Sequence, residues 1–351
     1  MDLPLSWPPA PMLAKAAKQV PAADAIEGGY AYEPKWDGFR ALIARDGAQV
    51  RIASRSGKDL TRYFPELADT LGEHLPARCV LDGEVVVRTG EPGAQRLDWE
   101  ALSARVHPAA SRIALLAEQT PAEFIAFDVL ALGEQDLTGA SFRTRRTRLS
   151  QALSGAGAPV HLTRLTDDAE VARHWFATFE GAGLDGVVAK AWESTYQGGK
   201  RTMVKVKHAR TAEAVVLGYR VHKSGRGVGS LLLGMYSGAG DLVNVGGIAA
   251  FTDKRRVELV EELRPWVITD DDGAPVLGET DRSRFSSGKD ISFVRLRPER
   301  VVEVAFDQLE GNRFRHAVRF LRWRPDREPE SATLEQVERA VAYDLDEVLA
   351  S

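Results

Sequence analysis

Lysines and carboxylates end or interrupt several apolar runs of this chain. Lys35 sits in Glu33-Pro34-Lys35-Trp36-Asp37-Gly38-Phe39-Arg40, and Asp82-Gly83-Glu84 lies inside a Val- and Leu-rich run. Asp128 interrupts Phe124 to Leu132, Asp185-Gly186 leads to Lys190, and Lys205 and Lys207 close Met203-Val204-Lys205-Val206-Lys207. Burial disfavours a charged lysine, and neighbouring cations disfavour it further. If these segments converge, one lysine is partly neutral near neutral pH, and a neutral amine can attack phosphorus. The remaining cations would offset charge developing on a phosphate, while carboxylates would hold a divalent metal and orient a sugar.

Other routes to nucleotide chemistry are closed. A phosphate loop needs Gly-Lys followed by Ser or Thr, whereas Gly57-Lys58, Gly199-Lys200 and Gly288-Lys289 precede Asp, Arg and Asp. Gly225-Arg226-Gly227-Val228-Gly229 follows no βαβ pattern, which argues against a dinucleotide fold. Cys79 is the single cysteine, so there is no intrachain disulfide and no zinc cluster. The histidines are scattered without ligand spacing.

The elements that must position these residues are short and mixed. Arg40 to Arg45 and Gln49 to Arg55 form a hairpin around Asp46-Gly47-Ala48. Glu66 to Leu75 reads as a helix, Cys79 to Val87 as a buried strand, and Phe124 to Leu132 as a strand buried on both faces. Arg143 to Leu153 has helical spacing, its Arg143 to Arg148 run read as a solvated face. A second helix opens at Asp167, three residues before Glu170, and stops at Gly181/Gly183. Gly186 to Lys190 and Thr202 to Lys207 are further strands. This irregular alternation predicts an α+β first domain, residues 1–209, with mixed or antiparallel sheets. Short strands then follow at Ala214 to Val221, Ser230 to Tyr236, Leu242 to Val245, Val301 to Gln308 and Arg319 to Trp323. They predict an OB-type barrel over residues 210–351, closed by a terminal helix running from Thr333 and Gln336 through Val341 to Leu349. Asp270 to Arg284 reads as an exposed acidic loop.

A length of 351 residues suits two domains. No membrane span or secretory signal is visible, so the expected location is cytoplasmic. The net charge of −4 argues against a uniformly basic coat. Any polyanion must therefore meet local clusters. Lys190 to Arg226 holds nine Lys/Arg against Glu193 and Glu213, and Gly311 to Arg327 holds six Arg against Asp326.

In order along the chain, these segments resemble the motifs of the covalent nucleotidyltransferases: DNA ligases, RNA ligases and capping enzymes. Lys35-Trp36-Asp37-Gly38 looks like the nucleotidyl-lysine motif and Ser54-Arg55-Ser56-Gly57 like the segment after it. Leu81-Asp82-Gly83-Glu84 and Ala126-Phe127-Asp128-Val129-Leu130 resemble the third motif and its companion. Asp185-Gly186-Val187-Val188-Ala189-Lys190 resembles the fourth, Val204-Lys205-Val206-Lys207 the fifth and Arg322-Trp323-Arg324-Pro325-Asp326-Arg327 the sixth. In this chain Asp185 stands where the fourth motif usually has Glu, and Arg327 where the sixth commonly has Lys. The wording around Lys35 and Arg55 is similar to ATP-dependent DNA ligases, especially the minimal two-domain bacterial C-type ligases associated with Ku. RNA ligases and GTP-using capping enzymes are the alternative.

The resemblance implies that Lys35 takes AMP from ATP, passes it to a 5′-phosphate at a nick in duplex DNA, and lets the 3′-hydroxyl displace it. It also implies that Glu33 reads the adenine amino edge, Phe127 stacks on the purine, and Arg40 and Glu84 hold the ribose. Lys190 belongs to the nucleotide site, and Lys205 and Lys207 contact the α-phosphate. Asp185, with Glu84, takes Mg²⁺ or Mn²⁺. Arg324 and Asp326 serve the β- and γ-phosphates, and Arg55 with Lys223 to Arg226 the nucleic-acid phosphates. The implied protein is a monomer of the bacterial nucleoid acting in end joining or excision repair, with Ku and other repair proteins as partners and no membrane.

Overall fold

The computed structural model describes residues 1–107, 109–208, 210–279, 291–307, 309–337 and 343–349. It divides into two compact units, Met1–His208 with Arg339–Ser351, and Ala209–Glu338.

The first unit holds two sheets. The larger runs Gln49–Ser54, Phe39–Asp46, Arg78–Thr89, Ala122–Leu132, Gln135–Asp136 in spatial order. The Asp46-Gly47-Ala48 turn sets the first pairing, Asp46 opposite Gln49 and Ala41 opposite Ser54. Side chains alternate across a strand, so Ile43, Leu81 and Val129 pack with Leu67 and Leu71 of helix Pro65–His74. Leu42, Val80 and Leu130 join Met12, Tyr196 and Met203 on the opposite face. That two-sided covering explains why Ala122 to Ala131 is buried without interruption.

The smaller sheet runs Leu13–Ala17, Arg201–Lys207, Gly186–Ala191, Tyr30–Lys35. Its first pair is parallel and the others antiparallel. One face packs on helix Ala169–Thr178 through Tyr32, Val187, Val204, Ala172 and Trp175. The cap of that helix is Asp168, not Asp167: its carboxylate accepts from the Glu170 amide at 2.7 Å. Asp168 is the residue with extended backbone angles next to the first turn.

The second unit is a curled antiparallel sheet around Arg210–Val221. One edge of this long strand pairs with Val228–Tyr236, which pairs with Leu242–Ile248. The other pairs with Val301–Phe306 along its first half and with Ser292–Arg295 beyond it. Arg319–Trp323 extends the sheet from Val301–Phe306, and helix Asp253–Leu263 covers the core with Leu259 and Leu263. Of the expected acidic loop, Leu277–Glu279 is a strand paired with Ser292–Arg295, and residues 280–284 lie outside the described residues, as does Gln308 of the expected strand end.

The single terminal helix is not formed as expected. Leu334–Val337 is a 3₁₀ turn and Leu345–Leu349 a short helix; Val341 lies outside the described residues. Gln336 does not close a capping box, because its side-chain amide bonds both the N–H and the C=O of Glu213, at 2.8 and 2.9 Å. The extent 210–351 also needs correction. Leu345 and Val348 are buried with Phe179 and Leu184 of the first unit, where the apolar partners they need are found.

Candidate active site

Register in the smaller sheet gathers the site. Gly186 lies opposite both Lys35 and Lys207, and Val188 opposite both Glu33 and Lys205. With a period of two, Glu33, Lys35, Lys190, Lys205 and Lys207 therefore share one sheet face. They line a cavity of about 340 Å³ together with Arg40, Arg55, Glu84, Phe127 and Trp36. Two glycines make the geometry possible. A Cβ on Gly38 would stand 2.2 Å from the Val85 carbonyl oxygen. Gly186 has φ +137°, a conformation that disfavours other residues, and a Cβ there would stand 2.0 Å from the Val206 carbonyl oxygen.

Asp185 is shared between two ammonium groups. Its Oδ2 lies 2.7 Å from Lys35 Nζ and 2.6 Å from Lys207 Nζ. Burial would raise the Asp185 pKa, but Lys35 and Lys207 outweigh it and hold the carboxyl below its ordinary value. For Lys35, burial disfavours the charge, yet Asp185, with help from Glu84 and Asp37, raises the pKa above that of a free lysine. The lysine whose pKa falls is Lys205, through burial and the nearby charges of Lys207, Lys35 and Arg55. The expected downward shift thus falls on Lys205 and not on Lys35, because Asp185 sits on the nucleophile candidate.

Lys190 Nζ pairs with Glu33 Oε2 at 2.7 Å, while Glu33 Oε1 is buried with no hydrogen-bond partner. Lys190 Nζ also donates to the Phe127 carbonyl at 3.0 Å and lies 4.6 Å from the Phe127 ring centroid. Arg40 forks onto Asp82 at 2.9 and 2.6 Å, with its guanidinium 5.1 Å from the same ring. Burial pushes Glu84 up to about 7 against the pull of Lys35 and Arg40, and its Oε1 accepts the Gly38 amide at 3.2 Å. Arg55 follows strand Gln49–Ser54 at the cavity wall.

Arg324 and Asp326 belong to the second unit. Arg324 Nε and Nη2 donate to the Asp326 carboxylate at 2.9 and 2.8 Å, and Nη1 pairs with Glu213. Asp326 is held down at about 2, chiefly by the Arg324 hydrogen bond. Lys223 and Arg226 lie in an exposed turn before Val228–Tyr236.

Three groups escaped the sequence reading. Tyr196 donates to Asp82 Oδ2 at 2.6 Å, bracing the carboxylate that holds Arg40. Arg145, in the run read as solvated, is fully buried and bonded to Asp128 at 2.8 and 3.1 Å. Arg146 reaches toward Glu33. The spacing Phe142, Arg145, Leu149 was the available signal, since it places Arg145 on the apolar stripe. Among the described residues, no three acidic, His or Cys side chains cluster as a metal cage. Asp185 and Glu84 are carboxylates, the donor type that Mg²⁺ takes when water and substrate phosphates complete its shell.

A mixed-sheet unit whose cavity gathers lysines and carboxylates, followed by a curled antiparallel half-barrel, is the architecture of a ligase-type nucleotidyltransferase. A solved Lig E DNA ligase, described as binding DNA with a minimal scaffold, shares this fold at a TM-score of 0.55 and 19% identity, covering 89% of this chain and 99% of that one. The family model of the ATP dependent DNA ligase domain matches residues 11–207, and that of the ATP dependent DNA ligase C terminal region matches residues 224–327. DNA ligase C1 of Mycolicibacterium smegmatis is 54% identical and DNA ligase C of Mycobacterium tuberculosis 50% identical, each match covering 99% of both chains. The multifunctional non-homologous end joining DNA repair protein LigD of M. tuberculosis is 34% identical over 87% of this chain and 37% of that protein. The chain belongs to the ATP-dependent DNA ligase family.

Proposed function

We propose that Lys35 is the residue that carries AMP, and that the chain seals nicks in duplex DNA through a Lys35–AMP phosphoramidate and a 5′-adenylated strand. The observation that supports this is the one-face array of Lys35, Lys205 and Lys207 around Asp185. The Lys35 ammonium must first lose one proton to solvent to give the free amine, a loss that Asp185 opposes. Nζ then forms its bond to the α-phosphorus as the bond to pyrophosphate breaks, and a second N–H proton leaves to solvent. A divalent cation bound at Asp185 and Glu84 would neutralise the carboxylates and the phosphate charge together. Lys205 and Lys207 bind the α-phosphate oxygens and favour loss of the proton from Lys35. Glu33 accepts from the adenine amino group, Phe127 packs against the purine, and Arg40 and Glu84 orient the ribose. Lys190 holds Glu33 in place. Arg55 contacts phosphate, and Arg324 and Asp326 serve the triphosphate in the first step only.

Residues 1–209 are proposed as the adenylating domain and the curled sheet from 210 onward as its OB-type companion, without the helix at Leu345–Leu349. We further propose that the chain acts as a monomer on nicked DNA in repair, with an end-holding partner such as Ku in the bacterial nucleoid; the names of its relatives support the repair part alone. Among the described residues no helix is long and apolar enough to cross a membrane.

Intact-mass measurement after incubation with ATP and Mg²⁺ tests the central step. The wild type should gain one AMP, and Lys35→Ala should gain none and fail to seal a nick, while still sealing a nick supplied with a 5′-adenylate at a reduced rate. Adduct formation from GTP but not ATP, or an undiminished adduct in Lys35→Ala, would overturn the proposal.

A further inference from the structure

Arg146 is not used by any step proposed above, yet it faces the residue assigned to the base. It follows Arg145 on helix Phe142–Ala152, with its side chain 14% exposed. Its Nη2 donates to the Thr163 carbonyl at 2.6 Å, and Thr163 Oγ1 accepts the Trp36 indole N–H at 2.8 Å. Its Nη1 stands 3.9 Å from Glu33 Oε1. That is an ion-pair separation, too long for a hydrogen bond. Both atoms are buried with no hydrogen-bond partner. Lys190 fixes the other oxygen of Glu33, so the carboxylate has a held side and an open side, and Arg146 attends the open one.

Three charged groups act on Glu33. Lys190 comes from strand Gly186–Ala191, Arg146 from the helix, and Asp128 from strand Ala122–Leu132, where it is itself paired with Arg145. Burial is the largest influence and, with Asp128, favours the neutral acid; Lys190 and Arg146 oppose it. The protonation state matters because a carboxylate can only accept a hydrogen bond, whereas a carboxylic acid can also donate one. A purine 6-amino group donates and a 6-oxo group accepts. The ionised form therefore suits adenine, and the neutral form admits a 6-oxo purine.

We propose that Arg146 is a positioning residue that keeps the open oxygen of Glu33 an obligate acceptor, and so sets the preference for a 6-amino over a 6-oxo purine nucleotide. The proposal rests on the reading of Glu33 as the base-contacting residue. It assigns no contact between Arg146 and the nucleotide, which agrees with its absence from the cavity wall.

Calorimetric binding in a full-length Lys35→Ala background, which cannot react, separates binding from chemistry. The probes are ATP, GTP and purine riboside triphosphate, the last having no 6-substituent, from about pH 6 to about pH 9. Arg146→Met should weaken ATP binding about tenfold near pH 6.5, as expected for loss of a hydrogen bond to a charged group. The deficit should shrink as pH rises and Glu33 ionises. Purine riboside triphosphate should bind Arg146→Met and its parent alike, the ATP:GTP preference should narrow, and Arg146→Lys should restore the parental pH profile. Should Arg146→Met fold poorly by thermal melting, Arg146→Gln is the second neutral variant and carries the same expectations.

An ATP affinity that does not change with pH relative to the parent, or an equal loss for ATP and purine riboside triphosphate, would mean packing alone and would overturn the proposal. Glu33→Gln distinguishes the two layers. If it keeps the parental ATP:GTP preference, Glu33 does not read the base and both readings fall; if it loses that preference while Arg146→Met does not, only the role of Arg146 falls.

Discussion

Asp185 poses a conflict between stability and reactivity. Its carboxylate binds two lysines at 2.7 and 2.6 Å, which stabilises three charges that would otherwise be costly to bury. The same contact keeps Lys35 protonated and so inert as a nucleophile. Glu84 carries a related cost, because it is half-buried and its pKa is pushed to about 7 by burial. Its unfolded value is near 4.5, so between about pH 4.5 and 7 the folded state binds the extra proton. Stability from this group is therefore lost as pH rises through that window and stays lost above it. Glu84→Gln should melt higher than the wild type at pH 8, with a relative gain of about 1–2 kcal/mol once solvent screening is allowed for. The gain should be absent near pH 4. Melting curves across pH test this, and a difference that is the same at every pH would show that Glu84 titrates as an ordinary carboxyl.

At the scale of elements, Thr202 to Lys207 was legible as a strand with Lys205 and Lys207 on one face, whereas Tyr30–Lys35 was not expected as a strand. Nor could the sequence convey that Gly186–Ala191 would lie between the two in register, since pairing of distant strands is not written in local periodicity. The hairpin at Asp46-Gly47-Ala48 and the two-faced strand at Ala122–Leu132 were legible because turn chemistry and continuous apolarity are local signals. The helix Phe142–Ala152 was misjudged because four arginines hid an apolar stripe. Arg145 is buried there with Asp128 and also donates to the carbonyls of Ala140 and Ser194, at 2.6 and 3.1 Å. Arg143, on the same helix, is 54% exposed. Arg145→Ala should therefore destabilise the protein by about 3–5 kcal/mol in urea unfolding, by leaving Asp128 buried and unpaired. Arg143→Ala should cost less than about 1 kcal/mol. Similar costs for the two would show that the burial of the pair carries no energetic weight.

For the whole molecule, the division into two units was legible from the change to short, glycine-punctuated strands after Lys207, but the fate of the C-terminus was not. A short amphipathic segment does not specify which unit supplies its partner surface. Leu345 and Val348 are 1% and 0% exposed, within the cluster containing Phe179, Leu184 and Val206. Tyr343 meets the Phe179 ring at a centroid distance of 5.3 Å. The Leu345 amide donates to the Gln95 carbonyl at 2.9 Å, and Arg88 pairs with Asp346 at 2.7 Å. These contacts make the segment part of the core beneath the smaller sheet, whose other face bears Lys35. Each large apolar side chain so buried contributes about 1.5–3 kcal/mol. Leu345→Ala with Val348→Ala should thus destabilise the first unit by about 3–6 kcal/mol, allowing for the cavities left. Asp346→Ala, which removes a side chain that is itself 54% exposed, should cost under about 1 kcal/mol. Limited proteolysis with mass mapping locates the effect: the double variant should open cleavage sites within Met1–His208 while Ala209–Glu338 keeps its wild-type pattern. Loosening confined to Ala209–Glu338 would instead return the segment to the second unit, where its position in the sequence would have put it.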